Sequence, residues 1–149
     1  MSRLRFVGAT ACAAFCIGIA VPALAAEITG TPGDDELTGT DGRDRIAGLD
    51  GDDLISSGRG ADRVLGGDGH DVIYLGKNPV LLGPSGDEAL GGRGDDLIFG
   101  GPGFDVIGGN GGDDTIIGGA GTDTLEDRIG DDVLVGGRGG DAVYRCVGP

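Results

Sequence analysis

Tryptophan is absent, His70 is the only histidine, and aromatics make up 4% of the 149 residues, too little for a conventional aromatic-rich core. One histidine and three cysteines leave no His/Cys cluster for zinc. There is no H-E-x-x-H motif and no credible Ser/His/Asp constellation, and the glycine runs lack the Lys-Ser/Thr of a phosphate-binding loop. The expectation is therefore a protein that is not an enzyme. Positive charge is also scarce. Eleven Lys and Arg face 25 Asp and Glu, for a formal net charge of -14. A chain that acidic is unsuited to nucleic acid, whose phosphates require clustered Lys and Arg, and is suited to cations.

Residues 1–26 differ from the rest. Arg3 and Arg5 precede an apolar run from Phe6 to Val21, which ends in Pro22-Ala23-Leu24-Ala25-Ala26. This pattern resembles a secretory signal peptide cut after Ala25 or Ala26, and implies Sec-type export and an extracellular location. The run is short and rich in Ala and Gly for a retained anchor, so no membrane span is expected in the mature chain. Cys12 and Cys16 would leave with this leading segment. Cys146 would then be the sole thiol, and an internal disulfide is excluded.

Glycine is abundant, at 35 residues, against a usual ~7%. Its positions are fixed rather than scattered, which points to a repeat and not to disorder. Residues 91–144 form six consecutive nine-residue units: GGRGDDLIF, GGPGFDVIG, GNGGDDTII, GGAGTDTLE, DRIGDDVLV and GGRGGDAVY. Residues 30–74 form five more: GTPGDDELT, GTDGRDRIA, GLDGDDLIS, SGRGADRVL and GGDGHDVIY. Position four is Gly33, Gly42, Gly51, Gly60, Gly69, Gly94, Gly103, Gly112, Gly121, Gly130 and Gly139. Position six is Asp35, Asp44, Asp53, Asp62, Asp71, Asp96, Asp105, Asp114, Asp123, Asp132 and Asp141. Position eight is always a branched aliphatic, and Ile28 stands where a preceding partial unit would place one. Each unit reads as a glycine turn followed by a very short, half-buried strand. Such a strand cannot stand alone, so stacked coils must bury position eight in a shared column.

The pattern resembles the hemolysin-type calcium-binding (RTX) nonapeptide repeat, G-G-x-G-x-D-x-U-x. That resemblance implies an all-β fold, a right-handed parallel β-roll (a calcium-bound β-solenoid). It implies two nonapeptides per coil, with calcium held between neighbouring turns on each edge. The organisation it suggests is a signal peptide at 1–26, a first block of repeats at 27–74, an irregular coil or linker at 75–90, a second block at 91–144 and a tail at 145–149.

Calcium takes 6–8 oxygen ligands, and a glycine turn can offer carbonyls while position six offers a carboxylate. With two units per coil, Asp35, Asp53 and Asp71 share one edge and Asp44 pairs with Asp62. In the second block Asp96, Asp114 and Asp132 share an edge, and Asp105, Asp123 and Asp141 share the other. Stacked carboxylates roughly 5 Å apart repel one another, and a divalent ion between turns reverses the sign. The expectation is roughly seven to nine calcium ions and a chain largely disordered without them. The position-five acids Asp34, Asp52, Asp95, Asp113 and Asp131 read as second ligands or as solvated turn charges.

Between the blocks, residues 75–90 number sixteen where two units need eighteen. Glu88 stands in for the missing Asp, and Lys77 for a missing cation, if one distorted coil keeps the stack continuous. A plain loop or hinge is the other reading, given Pro79 and Pro84. The unit at Asp127 has lost both leading glycines, so its sites are expected to be weak, with Glu126 and Asp127 as compensating acids. The function expected is a secreted calcium-binding protein with a structural, surface or adhesion role. The other reading is an accessory or remnant module of a secreted enzyme or toxin. Self-association through open coil ends and a cell-surface partner are the interactions expected besides calcium. An ice-binding ladder would need flat Thr/Asn rows, and only Thr31 and Thr40 align at position two.

Overall fold

The computed structural model describes residues 25–76 and 86–145, with strands joined by short irregular turns and no helix among them. The signal-peptide expectation therefore falls almost wholly outside the described residues, as do Lys77, Pro79, Pro84 and Cys146.

Among the described residues, thirteen strands follow one another: β1 (Glu27–Thr29), β2 (Glu36–Thr38), β3 (Arg45–Asp50), β4 (Leu54–Ser56), β5 (Arg63–Asp68), β6 (Val72–Tyr74), β7 (Glu88–Arg93), β8 (Leu97–Gly103), β9 (Val106–Gly111), β10 (Thr115–Gly121), β11 (Thr124–Asp127), β12 (Val133–Gly139) and β13 (Ala142–Arg145). Odd-numbered strands form one seven-stranded sheet and even-numbered strands one six-stranded sheet. Every pairing between these strands is parallel. The chain alternates between the sheets with each unit, so unit n pairs with unit n+2, as the resemblance to the RTX repeat implies.

The register puts position eight on position eight throughout. Ile28, Ile46, Val64, Ala89, Ile107, Leu125 and Val143 align along the odd sheet. Leu37, Ile55, Ile73, Ile98, Ile116 and Leu134 align along the even one. These two columns face each other and make the core, in which Ile55, Val64, Ile73, Ala89, Ile98, Ile107, Ile116 and Leu125 are fully buried. Ile28 packs against the near end and Leu134 against the far end. Val143, in the last of the described strands, stays 47% exposed. The core is one residue thick per strand, so stability must also come from the edges.

Several strands run well beyond the very short segment expected, to six or seven residues. In β3, β5 and β7–β10 pairing continues past position nine through the glycine doublet, as in Leu49↔Gly67 and Gly67↔Gly92. The bend within them is made by a positive φ at position two, 134° at Gly67 and 133° at Gly92. Leu49 and Asn110 take the same position with φ of 96° and 83°, a conformation that Asn adopts more readily than Leu.

The stack does not stop at the interruption. β5 pairs with β7 and β6 with β8 in the same parallel sense, with a register offset of 25 residues instead of 18. A single unit with seven extra residues thus replaces the two shortened units read from the sequence. Leu75 is 3% exposed and joins the core where that unit begins.

The two outer faces differ. On the even sheet, Leu54, Val72 and Leu97 form one ladder and Tyr74, Phe99, Ile117 and Val135 another. Tyr74 and Phe99 stack there with ring centroids 5.0 Å apart. The odd sheet mixes charge with exposed apolar residues: an Arg63–Glu88 ion pair at 2.6 Å lies on the same face as Leu65, Leu90 and Val106.

Candidate metal centres

Every coil edge carries a column of position-six carboxylates folded inward. Asp44, Asp53, Asp62, Asp71, Asp96, Asp105, Asp114 and Asp123 are at most 3% exposed, and Asp132 is 8% exposed. The columns follow the pairing rule. On one edge the backbone N–H of each Asp donates to Oδ1 of the Asp one coil on: Asp35 to Asp53, Asp53 to Asp71, Asp71 to Asp96, Asp96 to Asp114 and Asp114 to Asp132, at 2.8–3.1 Å. On the other edge Asp44 donates to Asp62, Asp62 to Asp87, Asp87 to Asp105, Asp105 to Asp123 and Asp123 to Asp141, at 2.8–3.0 Å for the first four and 3.1 Å for the last. One carboxylate oxygen of each is thereby fixed by the main chain.

The second oxygen is different. Among the described residues, Oδ2 of Asp53, Asp62, Asp71, Asp96, Asp105, Asp114, Asp123 and Asp127 is buried without a hydrogen-bond partner. An ionised oxygen left so costs several kcal/mol unless a cation meets it. Burial accordingly pushes these carboxyls up, to about 7 for Asp96 and about 6 for Asp53, Asp105 and Asp114, with the main-chain N–H bond opposing in part.

What surrounds Oδ2 is the position-one residue. A Cβ placed on Gly66 would strike Asp71 Oδ2 and come 2.5 Å from the Gly91 carbonyl oxygen. The same holds at Gly48 with Asp53 Oδ2 and the Gly66 carbonyl, and at Gly91 with Asp96 Oδ2 and the Gly109 carbonyl. Each cradle therefore joins a carboxylate oxygen to a main-chain carbonyl of the next coil over a bare Cα. The carbonyl faces the cradle because of the residue after it: Leu49, Gly67, Gly92 and Asn110, which follow these position-one glycines, all have positive φ. Hard oxygen donors, anionic and neutral, crowding an anion-lined hollow fit calcium.

The first two units break this rule. Thr31 and Thr40 lack positive φ. Their backbone N–H groups turn onto Asp35 Oδ2 and Asp44 Oδ2, and their hydroxyls donate to the same oxygens at 2.9 Å. These two carboxylates are satisfied by the chain itself.

Glu88 does not stand in the column. It lies outside, paired with Arg63, while Asp87, 3% exposed, takes the column place. The seven-residue insertion shifts the frame so that position six falls on Asp87. The position-four glycines lie two residues before the carboxylates, at turns where coil stacks on coil. A Cβ on Gly51 would meet the Gly33 backbone at 2.5 Å, one on Gly60 the Gly42 backbone, and one on Gly121 the Gly103 backbone. Gly69, Gly94, Gly112, Gly130 and Gly139 likewise have positive φ and abut the coil before. The residues missed in the sequence are the position-one glycines, whose signal was the recurring Gly-Gly doublet; Asp127, expected only as a compensating acid, is 1% exposed beside the column.

Position-five acids form an outer ladder on one edge. Asp52 N–H donates to Asp34 Oδ1, His70 N–H to Asp52 Oδ1, Asp95 N–H to His70 Nδ1, and Asp113 and Asp131 continue it, at 2.8–3.0 Å. Its bonds run opposite to those of the inner column, and His70 fills one rung as an acceptor.

The RTX calcium-binding nonapeptide repeat model matches in four copies, over residues 29–64, 55–78, 90–125 and 108–143. The chain belongs to the RTX calcium-binding repeat family. The matched span covers both blocks of this RTX chain and all the cradles described above. No curated protein matches it.

Proposed function

We propose that this RTX protein is a secreted calcium-binding β-roll that folds when calcium enters the cradles between its turns, and that it acts as a structural, surface or adhesion component. The observation that carries the reading is the row of buried, partnerless Oδ2 atoms, of which those of Asp53, Asp71, Asp96, Asp105 and Asp123 each lie beside a carbonyl of the next coil. Without a cation those oxygens oppose folding, and with one they bridge neighbouring coils. Binding free energy thus becomes folding free energy. Residues 27–145 act by binding. The metal ligands are the position-six carboxylates, with Asp87 in place of Glu88, and the position-one carbonyls. Because Asp35 and Asp44 are capped by threonine, the count of ions falls toward the lower end of the roughly seven to nine expected.

Circular dichroism of the mature chain in EDTA, then in millimolar calcium, tests this. The expected result is a disordered spectrum converting to β. An unchanged β spectrum in EDTA would defeat the reading.

A further inference from the structure

The unit beginning at Asp127 departs from the others at its first two residues, and the departure produces a different site. Arg128 at position two lacks positive φ, so the Asp127 carbonyl is not turned into the cradle below. In its place stands the Asp127 side chain, 1% exposed. Its Oδ1 accepts the N–H groups of Asn110 at 3.1 Å and Arg128 at 2.7 Å. Its Oδ2 is buried without a partner, like that of Asp114 beside it. A Cβ on Gly109 would meet both oxygens, with Asp127 Oδ2 at 2.5 Å.

Asp132 completes the group. One oxygen from each of Asp114, Asp127 and Asp132 lies within 4.8 Å of the others. Oxygens sharing one calcium at roughly 2.3–2.6 Å can be no farther apart than about 5 Å, so the three can meet one ion. Elsewhere in the roll the corresponding ligand is a neutral carbonyl.

We infer that Asp114, Asp127 and Asp132 form a three-carboxylate calcium site that fills before every other site in the roll. The inference rests on the calcium reading above and adds Asp127 as a side-chain ligand in place of a main-chain one. Ligand charge count is a principal control on calcium affinity at oxygen sites, and a third carboxylate raises the attraction for a divalent ion. The unit whose missing glycines made it look weakest is then the tightest binder.

Calorimetric titration of calcium into the full chain tests this, with Asp127→Asn and Asp127→Gly alongside. Asn keeps the side-chain shape and Gly restores the ordinary repeat, so a folding failure of one variant leaves the other informative. The wild type should show one ion bound roughly tenfold or more tighter than the rest. Both variants should lose that tight class and keep the remaining ions. A single affinity class in the wild type, or an isotherm unchanged by either variant, overturns the three-carboxylate site and leaves the calcium reading standing. A chain that binds no calcium overturns both.

Discussion

The hydroxyl of Thr40 donates to Asp44 Oδ2 at 2.9 Å, whereas Asp105, further along the same column, meets no hydroxyl and its Oδ2 is left without a partner. Thr31 repeats the arrangement on Asp35. The first coil of the roll therefore balances its own carboxylates, whereas Oδ2 of Asp71, Asp96, Asp105, Asp114 and Asp123 further along is left without a partner. Replacing Thr40 by Val keeps the shape and removes the hydroxyl, which leaves the carboxylate with its main-chain donors alone. The expected cost is about 1–2 kcal/mol. Urea unfolding at limiting and at saturating calcium should show the same loss, since no ion serves this oxygen. A loss that vanishes at high calcium would place a metal at Asp44 after all.

Position one is constrained by the oxygens that crowd its Cα and not by backbone angle. Gly66 lacks positive φ, yet a methyl there would run into Asp71 Oδ2 and the Gly91 carbonyl. Gly33 has nothing within 4 Å. Gly66→Ala should remove one calcium ion from the titration and destabilise the calcium-loaded roll by about 1–3 kcal/mol, the usual cost of overpacking. Gly33→Ala should keep the full count, with stability unchanged or raised by up to about 1 kcal/mol through the unfolded chain. Equal tolerance at both positions would refute the cradle geometry.

The two acids at 87 and 88 separate by role. Asp87 lies inside the column, with Oδ1 accepting from Asp62 N–H at 2.8 Å. Glu88 faces solvent and pairs with Arg63. Asp87→Asn should lower the calcium count by at least one and shift the folding midpoint to higher calcium. Glu88→Gln should leave both unchanged, as exposed ion pairs contribute little. The reverse pattern in a calcium titration followed by circular dichroism would restore Glu88 to the site.

Much of this was legible in the nonapeptide period. A fixed aliphatic at position eight and a fixed Asp at position six dictate stacked coils and carboxylate columns, because any other pairing would put Ile55 or Ile98 outside. Two things were hidden. The frame across residues 75–90 depends on where an insertion sits inside a unit, and Asp87 and Glu88 are chemically close enough that only the strand register separates them. The direction of the peptide after position one depends on φ at position two. Spacing does not show whether Thr40 turns an N–H inward or Gly67 a carbonyl. The same blindness made the Asp127 unit read as a defect.

The buried carboxylates also set a pH dependence whose sign is opposite to ordinary acid denaturation. Burial raises Asp96 from the usual 3.8 to about 7, and Asp53, Asp105 and Asp114 to about 6. Without metal, the folded chain then holds more protons than the unfolded chain between about pH 4 and pH 7, so its stability falls as pH rises across that window. The contribution is fully present below the unfolded value near 4 and is gone above about 7. In EDTA, acidification from pH 7.5 to 4.5 should therefore increase β structure. With calcium the dependence inverts, because protons compete for the same oxygens. The calcium needed for half-folding should rise as pH drops through 7 to 5. Circular dichroism across pH, with EDTA and with calcium, measures both slopes. A metal-free chain most ordered at pH 8 would show that the column carboxylates are not buried in the folded state.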